Sequence, residues 1–269
     1  MKAALILIVI FLIGYLTGFS QSTKHNNQNE QKVNITDNSI LGQWVRIGHT
    51  GPISLDFKEN GIVEGDFGND QTIEIFSKYK IKNDTINFRD EEGQMCQGNG
   101  SYTIYKNEYY LAFDLVDDNC NGRIKTIMGF WTRSNFNELL KELDKKISDS
   151  TSTDLYLNRA RLFMAIGNSQ KAKSNFDIYL GCDTTNARVY VNRAGTRFPN
   201  DMKGVVMDCN KAIKLDPVNK NAYFLRGLAL YQLGEKKQAC EDFSKAIELG
   251  FSILRIAEQE KCAEFWNEE

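Results

Sequence analysis

Three segments of this chain repeat at one interval. Tyr156-Leu157-Asn158-Arg159-Ala160, Tyr190-Val191-Asn192-Arg193-Ala194 and Tyr223-Phe224-Leu225-Arg226-Gly227 share a tyrosine, an arginine three residues on and a small residue after it. Ala160 to Ala194 spans 34 residues, and Ala194 to Gly227 spans 33. Follow-on positions recur too: Ala172 and Phe176, Cys209 and Ala212, Ala239 and Phe243. A unit of that length cannot bury its apolar face alone, so successive copies must pack on one another.

The third copy, Asp216 to Gly250, reads as two amphipathic helices around a tight turn. Tyr223, Gly227, Leu230 and Leu233 mark one face of the first helix, and Ala239, Phe243, Ala246 and Ile247 one face of the second. Gly234 supplies the reversal and Pro217 stops helix upstream. The middle copy departs from the pattern at Phe198-Pro199-Asn200-Asp201 and is one residue shorter. Ser252 to Phe265 is expected to form a closing helix over the last copy.

This pattern closely resembles the tetratricopeptide repeat, a helix pair of proteins that bind other proteins. The resemblance implies that the first helices line a concave face. Its groove positions here are Leu157, Arg161 and Met164, then Arg188 and Val191, then Asn221, Phe224, Leu228 and Tyr231. The lysine and asparagine types with which some members clamp a terminal carboxylate are missing at the matching positions. An apolar floor with two arginines is left, suited to an extended or helical peptide with an acidic neighbour. Leu157, Val191 and Phe224 serve equally well as packing between copies, so both readings stand for them.

Ahead of the repeats the period changes to two. Ile53, Leu55 and Phe57 alternate with polar residues, Asn60-Gly61 signals a hairpin, and Ile62 to Phe67 answers. Ile73, Ile75, Tyr79 and Ile81 lead through Asn83-Asp84 to Ile86 and Phe88, and Tyr102 and Ile104 through Lys106-Asn107 to Leu111, Phe113 and Leu115. With Gln43 to Ile47 first and Arg123 to Arg133 last, this makes about eight antiparallel strands, which close most simply into an up-and-down barrel. Gly42-Gln43-Trp44 and Trp131-Thr132-Arg133 resemble the start and end of lipocalin-like barrels, a likeness that places the arginine against the first tryptophan. The domain is shorter than a typical lipocalin, and its inward Phe57, Tyr102 and Phe113 read as core rather than as a ligand cup.

The expected organisation is a leader over residues 1–20, a disordered tether over 21–38, the barrel over 39–133, a bridging helix and linker over 134–153, and three helix pairs with their closing helix over 154–269. Lys2, the apolar run Ala3 to Ile13 and Gly18-Phe19-Ser20 fit a cleaved signal peptide, with a retained membrane anchor as the alternative. The tether is rich in Asn and Gln and has too little apolar surface to order itself. Phe136, Leu139, Leu140, Leu143 and Ile147 stripe the bridging helix, with Asn135 and Glu138 as a capping-box-like start. An exported, periplasmic or secreted chain with six cysteines is expected to pair them. Cys96 and Cys120 flank one hairpin of the barrel; Cys240 and Cys262 lie early and late on antiparallel helices, which leaves Cys182 with Cys209.

Several function classes are disfavoured. A net charge of −2 without a basic cluster argues against nucleic acid. The two histidines, His25 solvated in the tether and His49 in a loop, leave nucleophiles without their commonest base, so no enzyme is expected. No zinc spacing, phosphate loop or cofactor motif occurs, and the clusters Asp66, Asn69, Asp70 and Asp117, Asp118, Asn119 read as turns rather than calcium loops. The reading is therefore an exported scaffold holding a protein or peptide partner. The alternative is a carrier or sensor with a small apolar ligand in its barrel.

Overall fold

The computed structural model describes residues 39–251, apart from 49–50, 69, 91–95 and 97, together with residue 262. The expected leader, tether and closing helix, and His25, His49 and Asn69, lie outside the described residues, Cys262 excepted. The described chain divides into two compact units, one ending at Cys182 and the other beginning at Asp183. The division falls inside the helical region, so the first helix pair belongs with the barrel.

In the first unit eight strands follow one another in antiparallel order: β1 (Gly42–Gly48), β2 (Gly51–Phe57), β3 (Ile62–Phe67), β4 (Ile75–Lys82), β5 (Thr85–Asp90), β6 (Gly98–Lys106), β7 (Leu111–Asp118) and β8 (Gly129–Trp131). The expected turns hold: Gly61 and Asn83 take positive φ of 76° and 59° at the β2–β3 and β4–β5 reversals. The sheet closes where Val45 and Thr132 exchange backbone hydrogen bonds of 2.7 and 2.9 Å. Inside, the rings of Phe57, Phe88, Tyr102 and Phe113 contact one another at centroid distances of 5.7–6.4 Å, as a packed core does.

The expected last strand from Arg123 is corrected. Residues Asn121–Ile127 form a helix, α1, and β8 is only three residues long. Ile124, Ile127 and Met128 are buried at helical spacing, a signal that the period-two reading overlooked. Cys120 starts α1 with its sulfur accepting from the Arg123 amide, and is disulfide-bonded to Cys96. Arg123 turns inward, donating to Asp118 at 2.6 and 2.8 Å and to Asp90 at 2.8 Å. Tyr102 donates to Asp118 at 2.5 Å; burial, then the adjacent carboxylate, hold its phenol far above the usual range.

Helix α2 (Phe136–Asp149) starts at Asn135, whose side chain makes no capping bond, so the expected capping box is not formed. Then come α3 (Asp154–Ala165) and α4 (Ser169–Cys182). The second unit holds α5 (Ala187–Arg197), α6 (Met202–Leu215), α7 (Lys220–Leu233) and α8 (Lys236–Glu248). The irregular middle turn is resolved by Asp201, which caps α6 by accepting from the Gly204 amide at 2.9 Å. Gly227 lets α7 and α8 touch: a Cβ there would stand 2.7 Å from the Phe243 ring. Gly234 ends α7 in the left-handed conformation, φ 91°.

Candidate protein-binding site

The repeated Tyr-x-x-Arg is a structural device in all three copies. Each arginine lies over its own tyrosine at 5.3–5.5 Å, and each reaches across to the second helix of its pair. Arg193 meets Asp208 at 3.0 and 2.5 Å, Arg226 meets Asp242 at 2.8 and 2.6 Å, and Arg159 meets Asn175 at 2.8 Å. Arg226 also reaches back to Asn210 on α6 at 2.6 Å, and Arg159 reaches back to Asp144 on α2 at 2.5 Å. Toward α3, then, α2 plays the part that α6 plays toward α7.

The positions expected to line a groove divide by burial. Leu157, Arg161, Val191, Asn221, Phe224 and Leu228 are buried, whereas Met164, Arg188 and Tyr231 are half-buried. Phe224 stacks on Phe251 at 4.5 Å and lies 6.0 Å from Phe243, so packing is its role in this structure. Arg161 donates to the Tyr110 hydroxyl at 2.5 Å and faces that ring at 5.0 Å, which holds its charge within the chain.

Two side chains stand out. Asn192 on α5 and Asn221 on α7 are at most 1% exposed, and neither amide oxygen nor nitrogen of either has a hydrogen-bond partner among the described residues. Helices α5 and α7 pack against each other within the second unit. A buried amide left unpaired costs about 1–3 kcal/mol. Asn221 was among the expected positions. Asn192 was not, although it appears in the repeated Tyr-x-Asn-Arg of the first two copies.

The cysteines form Cys96–Cys120 and Cys240–Cys262, with Cα separations of 5.7 and 5.6 Å. The expected Cys182–Cys209 pair is corrected: both are free thiols. Cys209 points into the core that includes Val205, Leu225 and Phe243, whereas Cys182 is exposed at the end of α4. Burial pushes the Cys209 thiol well above its ordinary value.

The acidic loops are internally engaged. Asp66 accepts from the amides of Asp70 and Gln71 at 3.1 and 2.8 Å, and Asp118 serves Arg123. An open depression of about 650 Å³ at the β2–β3 turn is lined in part by Asp56, Lys58 and Glu64, and Lys58 pairs with both acids. Among the described residues no helix is long and apolar enough to cross a membrane.

Helix pairs with a small-residue seam at this spacing define a helical repeat protein. The tetratricopeptide repeat family's model matches residues 221–250. The chain is 24% identical over 140 residues to the mitochondrial import receptor subunit TOM70 of Homo sapiens, covering 49% of this chain and 23% of that one, and matches the Mus musculus protein over the same shares. It thus spans about a quarter of the length of these curated relatives. Similar solved structures include MamA, 23% identical over 50% of this chain and 79% of that chain, with a TM-score of 0.45. Another is the second TPR of Spaghetti (RPAP3) bound to the HSP90 peptide SRMEEVD, 26% identical over 42% of this chain and 98% of that chain, with a TM-score of 0.34.

Proposed function

We propose that this chain is an exported protein-binding scaffold whose partner surface lies on α5 and α7. The observation that carries this reading is the tetratricopeptide repeat at residues 221–250, which contains Asn221 and Tyr231. Asn192 and Asn221 supply unpaired amides suited to a peptide main chain, and Arg188 and Tyr231 flank them in sequence on the same helices. Export is supported by two disulfide bonds, which persist in oxidising compartments, and by the apolar segment near Lys2. In this reading the barrel, filled by its own rings, supports the first helix pair and is not a carrier, and the chain is not an enzyme.

The test is affinity capture with the full chain as bait, comparing wild type with Tyr231→Ala and Arg188→Ala. A partner held by wild type and weakened about tenfold or more by either variant, with circular dichroism unchanged, supports the assignment. Equal capture by all three moves the partner surface elsewhere.

A further inference from the structure

Leu157, Arg161 and Met164 form a stripe on α3 at spacings of four and three. The repeat makes them counterparts of Val191 and Gly195 on α5 and Phe198 at its C-cap, and of Phe224, Leu228 and Tyr231 on α7. On α3 the Arg161 and Met164 end of this stripe is covered from within the chain. The turn between β6 and β7, Asn107-Glu108-Tyr109-Tyr110, lies against it, and each of the four residues bonds to α2 or α3. Asn107 Nδ2 donates to Asn158 Oδ1 at 2.9 Å, and Arg161 donates to the Tyr110 hydroxyl. Lys146 on α2 donates to the Tyr109 hydroxyl at 2.7 Å and pairs with Glu108 at 3.2 Å. Tyr109 and Tyr110 share one apolar cluster with Leu162, Ala165 and Met164. The turn arrives preshaped, because Asn107 Oδ1 accepts from the amides of Tyr109 and Tyr110 at 2.9 and 3.1 Å.

We propose that the β6–β7 turn is a resident ligand of the first helix pair, and that it displays the chemistry this pair binds: a tight turn presenting a side-chain amide, a carboxylate and two tyrosines. The first pair is closed while the turn is seated, so a partner on the resting chain docks on α5 and α7. A partner turn of the same chemistry competes for α3. The inference rests on the proposed binding role and extends it to a partner class. Ordinary packing would give the same burial. A ligand site differs because it accepts the turn as a separate molecule once the tethered one is weakened.

The experiment uses the full chain carrying Asn107→Ser and Tyr110→Ser, and a cyclised peptide of residues 105–111 as the probe. Phenylglyoxal labelling read by mass spectrometry reports on Arg161. The expected result is a protected Arg161 in wild type, a reactive one in the variant, and renewed protection when the peptide is added. The peptide should bind the variant at least about tenfold more tightly than wild type, since loss of the Arg161 hydrogen bond alone carries a change of that size. A reactive Arg161 that the peptide does not protect overturns the proposal, as does equal binding to both chains. Should the double variant not fold, Tyr110→Phe keeps the ring in its cluster and removes only the hydroxyl. Arg161 must then become more reactive, and unchanged protection overturns the proposal. No external partner is involved, so a failure here leaves the capture result standing, and the reverse holds.

Discussion

The guanidinium of Arg133 lies 3.7 Å from the centre of the Trp44 ring and donates to the carbonyl oxygens of Gln43 at 3.1 Å and Leu41 at 3.0 Å. It thereby ties the end of the barrel to its beginning, beside the Val45–Thr132 bridge that closes the sheet. Arg133→Ala removes the stacking and both bonds, and is expected to lower stability by about 1–3 kcal/mol. Urea denaturation checks it; an unchanged midpoint and slope would mean that the strand hydrogen bonds alone close the barrel.

Non-reducing peptide mapping should find Cys96 joined to Cys120 and Cys240 joined to Cys262, with Cys182 and Cys209 free. A thiol reagent should modify Cys182 in the native protein and Cys209 only after denaturation. The two bridges span 24 and 22 residues of sequence, and opening either should cost about 3 kcal/mol by loop-entropy arguments. Native labelling of Cys209 would place it outside the core described for it.

Alkaline pH should destabilise the fold through Cys209 and Tyr102. Both have folded-state pKa values raised chiefly by burial. Their stabilising contribution is therefore complete below the unfolded pKa values, about 8.5 and about 10, and is lost as pH climbs beyond them, at about 1.4 kcal/mol per pH unit and group. Cys209→Ala should remove the earlier part of that loss. A stability curve flat from pH 8 to pH 11 would contradict it.

Gly227→Ala should destabilise the third pair although alanine is the better helix former. Its Cβ would meet the Phe243 ring at 2.7 and 2.8 Å and the Ala239 carbonyl oxygen at 3.1 Å. Overpacking of this kind costs about 1–3 kcal/mol, more than the roughly 1 kcal/mol of helix propensity gained. Thermal melts of the two proteins decide the sign.

The sequence conveyed the repeats better than their surfaces. A 33–34-residue period with a small residue at Ala160, Ala194 and Gly227 located six helices, because periodicity reports which residues must face a neighbour. The hairpin turns were equally legible, since Gly61 and Asn83 suit their backbone angles. Helix α1 was hidden because Arg123 to Met128 is short, and its formation depends on Cys120, Asp118 and Asp90, partners brought together only by folding. The seat of Arg161 was hidden for the same reason: Tyr110 lies 51 residues away, and nothing local signals the pairing. Asn192 looked like a repeat-pattern residue. Its lack of a partner shows only once its surroundings are in place.

The central claim is that Asn192 and Asn221 serve a partner and not the fold. The most direct measurement pairs the melting temperature with affinity capture for the full chain carrying Asn192→Leu and Asn221→Leu. Leucine has nearly the same shape without the unpaired amide, so a position whose amide does not hold the fold should become neutral or more stable. The expected result is a melting temperature unchanged or raised, with partner capture weakened about tenfold or more. Capture retained in full by the folded double variant would contradict the claim, and so would a fall in melting temperature, which would show that the amides hold the helices together.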